Sequence, residues 1–293
     1  MILINGLKVY KMRDLCINYD IEELQKELSC FISKNGDYNL QPNKNKIILH
    51  YQWKEFYKKE LELWNENKFY HNLPLQSWIY LNRKKYINKD AINLTDLEIL
   101  RAFKISGVHI GNSQFSPFWI KKFIEEYNIK SIYDPTGGWG HRILGSYNIN
   151  YIYNDINTNT YNNCIKMVNE LDIPNTILYN NDSSKFIPNE NYECVFTCPP
   201  YWNKEKYSDK GAENLNYNDF LIWWDQTIKC SLKNNVKYFA YVISNDLKED
   251  MNKICIQNKL QFVEEKQLSN NYNHFQRSSN NVKKGESIQI FRK

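Results

Sequence analysis

Ser131-Ile132-Tyr133-Asp134-Pro135-Thr136-Gly137-Gly138-Trp139-Gly140 joins an apolar strand to a Gly-rich turn, and the residues after Gly140 read as a helix. Glycines at such a junction let the backbone approach a ligand closely, and the start of the helix offers unpaired N–H groups. The next apolar run, Tyr151-Ile152-Tyr153, ends near Asp155. A carboxylate there can accept hydrogen bonds from both hydroxyls of an adenosine ribose. Turn plus acid points to an adenosine-bearing ligand without separating one nucleotide-binding fold from another. Read alone, the stretch is equally a plain turn.

Outward from this turn the chain alternates. A helix is expected over 117–127 and another over 160–171, with strands over 176–179 and 194–196. A helix over 220–232, a strand over 238–243 and a helix over 250–258 come next, then two closing strands over 262–266 and 287–291. Strands alternating with helices predict a parallel α/β sheet wound on both faces. The two closing strands predict an antiparallel hairpin at one edge. Asn181-Asp182-Ser183, after the third strand, stands where an adenine edge would lie, although Asn and Asp are also ordinary turn residues. No internal repeat is visible.

Thr197-Cys198-Pro199-Pro200-Tyr201-Trp202 comes directly after the strand over 194–196. Two prolines stiffen a loop at the carboxyl end of the sheet, where α/β proteins bind ligands. An exocyclic amine of adenine or cytosine is a poor nucleophile, because its lone pair is delocalised into the ring. Acceptors aimed at its N–H groups oppose that delocalisation, and an aromatic face at Tyr201 would hold a base taken out of its stack. Two other readings stand beside this one. The loop is a stiff connection carrying a buried thiol, or Cys198 is a nucleophile toward pyrimidine carbon, although that chemistry sets its cysteine after proline.

Asp134-Pro135 with Gly138 and Gly140, the acid Asp155 and the Pro-Pro-Tyr loop together resemble the amino-methyltransferase family of DNA-modifying enzymes. Phe115-Ser116-Pro117 is similar to a further cofactor-binding segment of that family, and the string from Phe196 to Ser208 resembles methylases of phages and other mobile elements. The resemblance implies a Rossmann-like, doubly wound class I methyltransferase sheet and S-adenosylmethionine as cofactor. It assigns cofactor contacts to Phe115, Asp134, Pro135, Gly138, Gly140, Asp155, Asp182 and Thr197. Cys198, Pro199, Pro200 and Tyr201 become the catalytic loop acting on adenine N6 or cytosine N4, with DNA as partner. Three departures accompany it. Thr136 stands where the family usually has Phe, Cys198 where it has Asp, Asn or Ser, and no large insert for base recognition comes after the loop. An RNA or protein-amide methyltransferase would use nearly the same loop, and a cofactor-binding module that has lost turnover at Cys198 would keep the fold.

The resemblance covers roughly residues 110–293. The sequence before it lacks a strand rhythm, and helices are expected around 21–32, 53–64 and 94–103. Residues 1–108 are expected to form a mainly helical accessory region, and 109–293 the methyltransferase domain. The net charge of +5 concentrates between residues 40 and 105, beside aromatics. That is the footprint of a polyanion-binding surface, or else an ordinary solvated helix face. His109, Trp139 and His141 read as structural. The 7 cysteines contain no CxxC pair, and no zinc set forms around them, so no metal is expected. No signal-peptide pattern opens the sequence and its apolar runs are short, so a soluble, cytoplasmic protein with reduced thiols and no membrane partner is expected.

Overall fold

The computed structural model describes residues 2–4, 7–9, 19–33, 46–56, 69–70, 73–74, 115–202, 210–233, 235–268 and 286–293. The chain divides into two compact units, both discontinuous in sequence. The smaller takes Met1–Asp20 and Gln52–Ser113, and the larger takes Ile21–Tyr51 and Gln114–Lys293.

Within the smaller unit, β1 (Ile2–Ile4) pairs antiparallel with β2 (Leu7–Val9). Helix α1 (Ile21–Ser33) belongs to the larger unit, α2 (Lys46–Phe56) runs across the division, and β3 (Phe69–Tyr70) pairs with β4 (Leu73–Pro74) in the smaller. The sequence pattern does not announce these hairpins, because strands this short are below what alternation can report. Helix α2 starts at Lys46 rather than near Trp53, and Ile47, Ile48, Leu49, Tyr51, Gln52 and Trp53 are buried in it. The helix expected over 94–103 lies outside the described residues.

The split expected at residues 108 and 109 differs from this division, because Ile21–Tyr51 groups with the sheet. The contacts show why. Lys121 Nζ donates to the carbonyls of Phe31 and Ile32 at the end of α1, and the Phe31 and Phe118 rings lie 4.7 Å apart. Tyr51 Oη donates to Glu170 at 3.0 Å.

The larger unit is built on a 7-stranded sheet in the order β10-β11-β9-β8-β5-β6-β7. In chain order its elements are α3 (Pro117–Tyr127), β5 (Ser131–Asp134), α4 (His141–Gly145), β6 (Asn150–Asn154), α5 (Thr158–Glu170), β7 (Thr176–Tyr179) and β8 (Cys194–Thr197). Then come α6 (Tyr217–Ser231), β9 (Tyr238–Ser244), α7 (Asn245–Gln257), β10 (Gln261–Gln267) and β11 (Glu286–Arg292). Neighbours from β7 through β9 are parallel, while β11 runs antiparallel to both β9 and β10. This is the Rossmann-like, doubly wound sheet with its antiparallel edge hairpin.

Register assigns the faces, since neighbours in a strand point to opposite sides. Tyr133 pairs with Val195, and Val195 with Phe239, so these share a face with Tyr241. There Trp224 of α6 lies 5.8 Å from Phe239 and 5.0 Å from Tyr241, and Leu247 and Met251 of α7 join the same buried cluster. Phe196 is on the other face, where Phe123 of α3 meets its ring at 5.0 Å. Helices cover both sides, so strands such as Cys194–Thr197 are buried at every position. That explains their unbroken apolar character.

Candidate active site

The carboxyl ends of β5, β6 and β8 bring the Gly-rich turn, Asp155 and the Pro-Pro-Tyr loop to one edge of the sheet. At the turn, Asp134 is fully buried. Its carboxylate accepts from the Arg142 guanidinium of α4, from the Tyr151 hydroxyl of β6 and, at 3.2 Å, from the Thr136 backbone N–H. Although burial opposes its charge, Arg142 beside Asp134 stays protonated well above its ordinary range. Burial first, and Asp134 second, push the Tyr151 hydroxyl up. The guanidinium also donates to the Thr136 carbonyl and lies 5.7 Å from the Phe115 ring. The resemblance assigns Asp134 a cofactor contact. Its place is in the interior, holding the turn to the helix after it.

The glycines divide the work. A Cβ on Gly137 would sit 2.1 Å from the Tyr153 ring, so that position serves packing inside the protein. Gly138 has φ 59, and a Cβ there would meet nothing nearer than 4.0 Å, so its face is open. The Gly138 N–H donates to Asp155 Oδ2 at 2.8 Å, and Asp155 Oδ1 accepts from Asn157 N at the same distance. Burial pushes the Asp155 carboxyl up to about 6, against the two backbone N–H groups that favour its charge. Each oxygen keeps a further acceptor position, which is what a ribose diol needs.

Asn154, fully buried, ties three segments together. Its amide donates to the carbonyls of Pro135 and Asn181 at 3.1 and 3.0 Å and accepts from Asn181 N at 3.0 Å. Asp182 closes its own turn, accepting from the backbone and hydroxyl of Ser184 and pairing with Lys185 at 3.0 Å. Against the burial that raises it, those bonds hold the Asp182 carboxyl below its usual range.

The loop after β8 is joined directly to the turn. Thr136 Oγ1 donates to the Cys198 carbonyl at 2.9 Å and lies 2.6 Å from the hydroxyl of Thr197, which is fully buried. Cys198 is half-buried and Pro199 buried. Tyr201 is 8% exposed and belongs to the cluster containing Ala212, Phe220 and Trp224. In this structure it is a core residue rather than the open aromatic face expected. The neighbouring Trp202 donates its indole N–H to the Leu215 carbonyl at 2.8 Å and meets the Tyr217 ring at 4.9 Å.

Phe115 packs between Arg142 and Phe196, 6.3 Å from the latter ring. His141 is buried with its Nε2 lacking a protein partner, and burial together with Arg142 lowers it to about 3, so its ring is neutral. Sequence reasoning missed Arg142, Tyr151 and Asn154. The available signal was polar residues inside runs that otherwise read as buried: Arg142 before Ile143 and Leu144, and Asn154 at the end of Tyr151-Ile152-Tyr153. Among the described residues, no helix is long and apolar enough to cross a membrane, and no group of three or more His, Cys, Asp or Glu side chains is placed to hold a metal.

No protein-family profile matches the chain, and no curated protein matches it by sequence. Solved structures do. An S-adenosylmethionine-dependent methyltransferase from Clostridium acetobutylicum is similar over 65% of this chain and 95% of its own, at 10% identity and a TM-score of 0.46. The N-methyltransferase NodS from Bradyrhizobium japonicum matches 60% of this chain and 93% of its own, at 9% identity and a TM-score of 0.42. TrmN from Thermus thermophilus matches 62% of this chain but half its own length (50%), at 8% identity and a TM-score of 0.45.

Proposed function

We propose that the chain is a methyltransferase that uses S-adenosylmethionine to methylate an exocyclic amine of a base, cytosine N4 or adenine N6, with DNA as the favoured polymer. One observation carries this reading. The Pro-Pro-Tyr loop is hydrogen-bonded to the Gly-rich turn through Thr136, so an amine-binding loop and an adenosine-binding turn share one edge of the sheet. The residues fit the cofactor: Gly138 presents an open backbone face, and the adjacent Asp155 keeps acceptor capacity beside it.

In this reading Asp155 takes the ribose hydroxyls, Gly138 lines the approach, Gly140 serves packing of the turn against Met167 and Cys164, and Asp182 and Phe115 flank the adenosine. When bound, S-adenosylmethionine supplies an electrophilic methyl group on a sulfonium. The chain's own task is to present the amine. The Pro199 carbonyl accepts one amine N–H, which returns lone-pair density to nitrogen and holds it in line. An acceptor fixed in advance costs no reorganisation at the moment of reaction. The basic stretch between Lys44 and Lys104 contributes phosphate contacts, so binding falls steeply with salt. An RNA base or a protein amide presents the same acceptor problem.

The test uses S-adenosylmethionine carrying a deuterated methyl group, with double-stranded DNA and total RNA in separate reactions. Digestion to nucleosides and mass spectrometry then locate the label. N6-methyladenine or N4-methylcytosine from DNA is the expected result. Label confined to RNA would overturn the polymer, and no label despite cofactor binding would overturn the base amine.

A further inference from the structure

The geometry points to Thr136 as a positioning residue: its side chain sets the direction of the carbonyl that accepts the target amine. This rests on the proposed role of the Pro-Pro-Tyr loop and goes beyond it. The two hydroxyls and the carbonyl form a directed chain. Thr136 has a single hydroxyl proton, and its 2.9 Å bond to the Cys198 carbonyl uses it. At 2.6 Å, Thr197 must then be the donor to Thr136. Bonds in such a chain polarise and strengthen one another, more so away from water.

The Cys198 carbonyl and the Pro199 nitrogen belong to one peptide plane. Anchoring that carbonyl therefore fixes the plane on which Pro199 is mounted. The Pro199 ring holds φ near −65°, and Pro200 after it confines Pro199 ψ to the extended range. Both backbone torsions of Pro199 are thereby restricted, which limits how far its carbonyl can turn relative to the anchored Cys198 carbonyl. The clamp thus couples the Gly-rich turn to the acceptor atom through a restricted stretch of backbone. The departures at Thr136 and Cys198 also become linked, since the hydroxyl grips the backbone of the residue where the carboxylate, amide or hydroxyl of the resemblance is missing. The backbone of Thr136 is held independently, by Asp134 and Arg142, so changing its side chain leaves the turn in place.

Thr136→Val removes the hydroxyl at nearly constant volume, and Thr136→Ser keeps it. Three measurements are made on the full chain: kcat for methyl transfer, the affinity for S-adenosylmethionine by calorimetry, and the iodoacetamide alkylation rate of Cys198 by peptide mass spectrometry. Thr136→Val is expected to lower kcat by about 10- to 100-fold, the loss typical of a misplaced reacting group. Cofactor affinity is expected to stay within about twofold, the rate at Cys198 to rise several-fold, and Thr136→Ser to restore both altered quantities. Thr197→Val removes the other hydroxyl and, if the two act as one chain, adds little to Thr136→Val in the double variant. An unchanged kcat in Thr136→Val overturns the inference, and so does a loss that Thr136→Ser fails to restore. If the wild-type chain methylates no nucleic acid, the functional reading fails, and the Cys198 rates alone decide the clamp: equal rates in wild type and Thr136→Val overturn it.

Discussion

The turn after β5 and the loop after β8 end neighbouring strands at the same edge of the sheet, yet they are held by opposite means. The turn is braced by buried polar groups: an ion pair between Asp134 and Arg142, the Tyr151 hydroxyl, and the Asn154 amide bridging Pro135 and Asn181. The loop is braced by stiffness and apolar packing, with paired prolines and with Tyr201 in the buried cluster that also holds Ala212, Phe220 and Trp224. A polar brace has a single correct geometry and fails abruptly when one member is removed. An apolar brace tolerates small shifts, so the loop needs a directional bond of its own, and Thr136 supplies it.

The largest effect expected from breaking this contrast is at Arg142. Arg142→Met should destabilise the fold by about 3–5 kcal/mol in chemical denaturation, because it leaves Asp134 buried and unpaired. A loss near that of a surface change would show that the brace is not a buried pair. Tyr201→Ala should come next, losing about 3 kcal/mol as a buried ring leaves a cavity. It should also abolish methyl transfer. If Tyr201→Ala leaves stability untouched, the ring is not part of the core.

The glycines sharpen the comparison at smaller scale. Gly137→Ala pushes a methyl group into the Tyr153 ring and should destabilise by about 1–3 kcal/mol. Gly138→Ala meets open space and should cost about 1–2 kcal/mol through its positive φ, with its main effect on cofactor affinity. Calorimetry and thermal melts on both variants would separate the roles, and equal affinity losses would erase the distinction.

The smallest effect concerns pH. Asp155 is raised to about 6 in the fold from an ordinary value of 3.8. The folded state thus holds its proton longer than the unfolded chain, so this contribution to stability is present below about 4 and is lost as pH rises toward 6. The difference between wild type and Asp155→Asn should track that slope in denaturation experiments. Cofactor affinity runs the other way, falling as pH drops through about 6, because protonation converts an acceptor into a donor. Calorimetry across that range on the wild type should show the fall, and Asp155→Asn should lack it.

The fold was largely legible because its strands are covered on both faces and its turns carry proline, glycine and acids. Thr176–Tyr179 has the expected bounds, and α3 covers the expected residues. Helix α7 begins at Asn245, ahead of the expected 250, although Leu247, Met251, Ile254 and Cys255 show its period. The apolar pattern was present, and the preceding strand hid the cap. The candidate site was legible only in outline. Asp134 ends β5 and Tyr201 lies in the loop after β8, both as expected, but spacing cannot tell a side chain aimed at a ligand from one turned inward. That choice is made by Arg142 and Tyr151 for the acid, and by the buried cluster it joins for the ring, partners that no local rule connects.

Strand β11 sits between β9 and β10 with Ser287 through Phe291 buried, and Gln289 accepts from Asn252 while donating to Ser287. Inserting a later strand between two earlier ones has a consequence for how the protein is made. As the chain leaves the ribosome, β9 waits with its outer edge unsatisfied, and β10 has nothing to pair with until β11 arrives. Through that interval the half-built sheet offers open strand edges of the kind that recruit other chains. The parallel half, β7 to β8, is finished well before. Folding should therefore proceed as an early parallel half and then a late wedge, and ending synthesis before Glu286 would leave an aggregation-prone half-sheet.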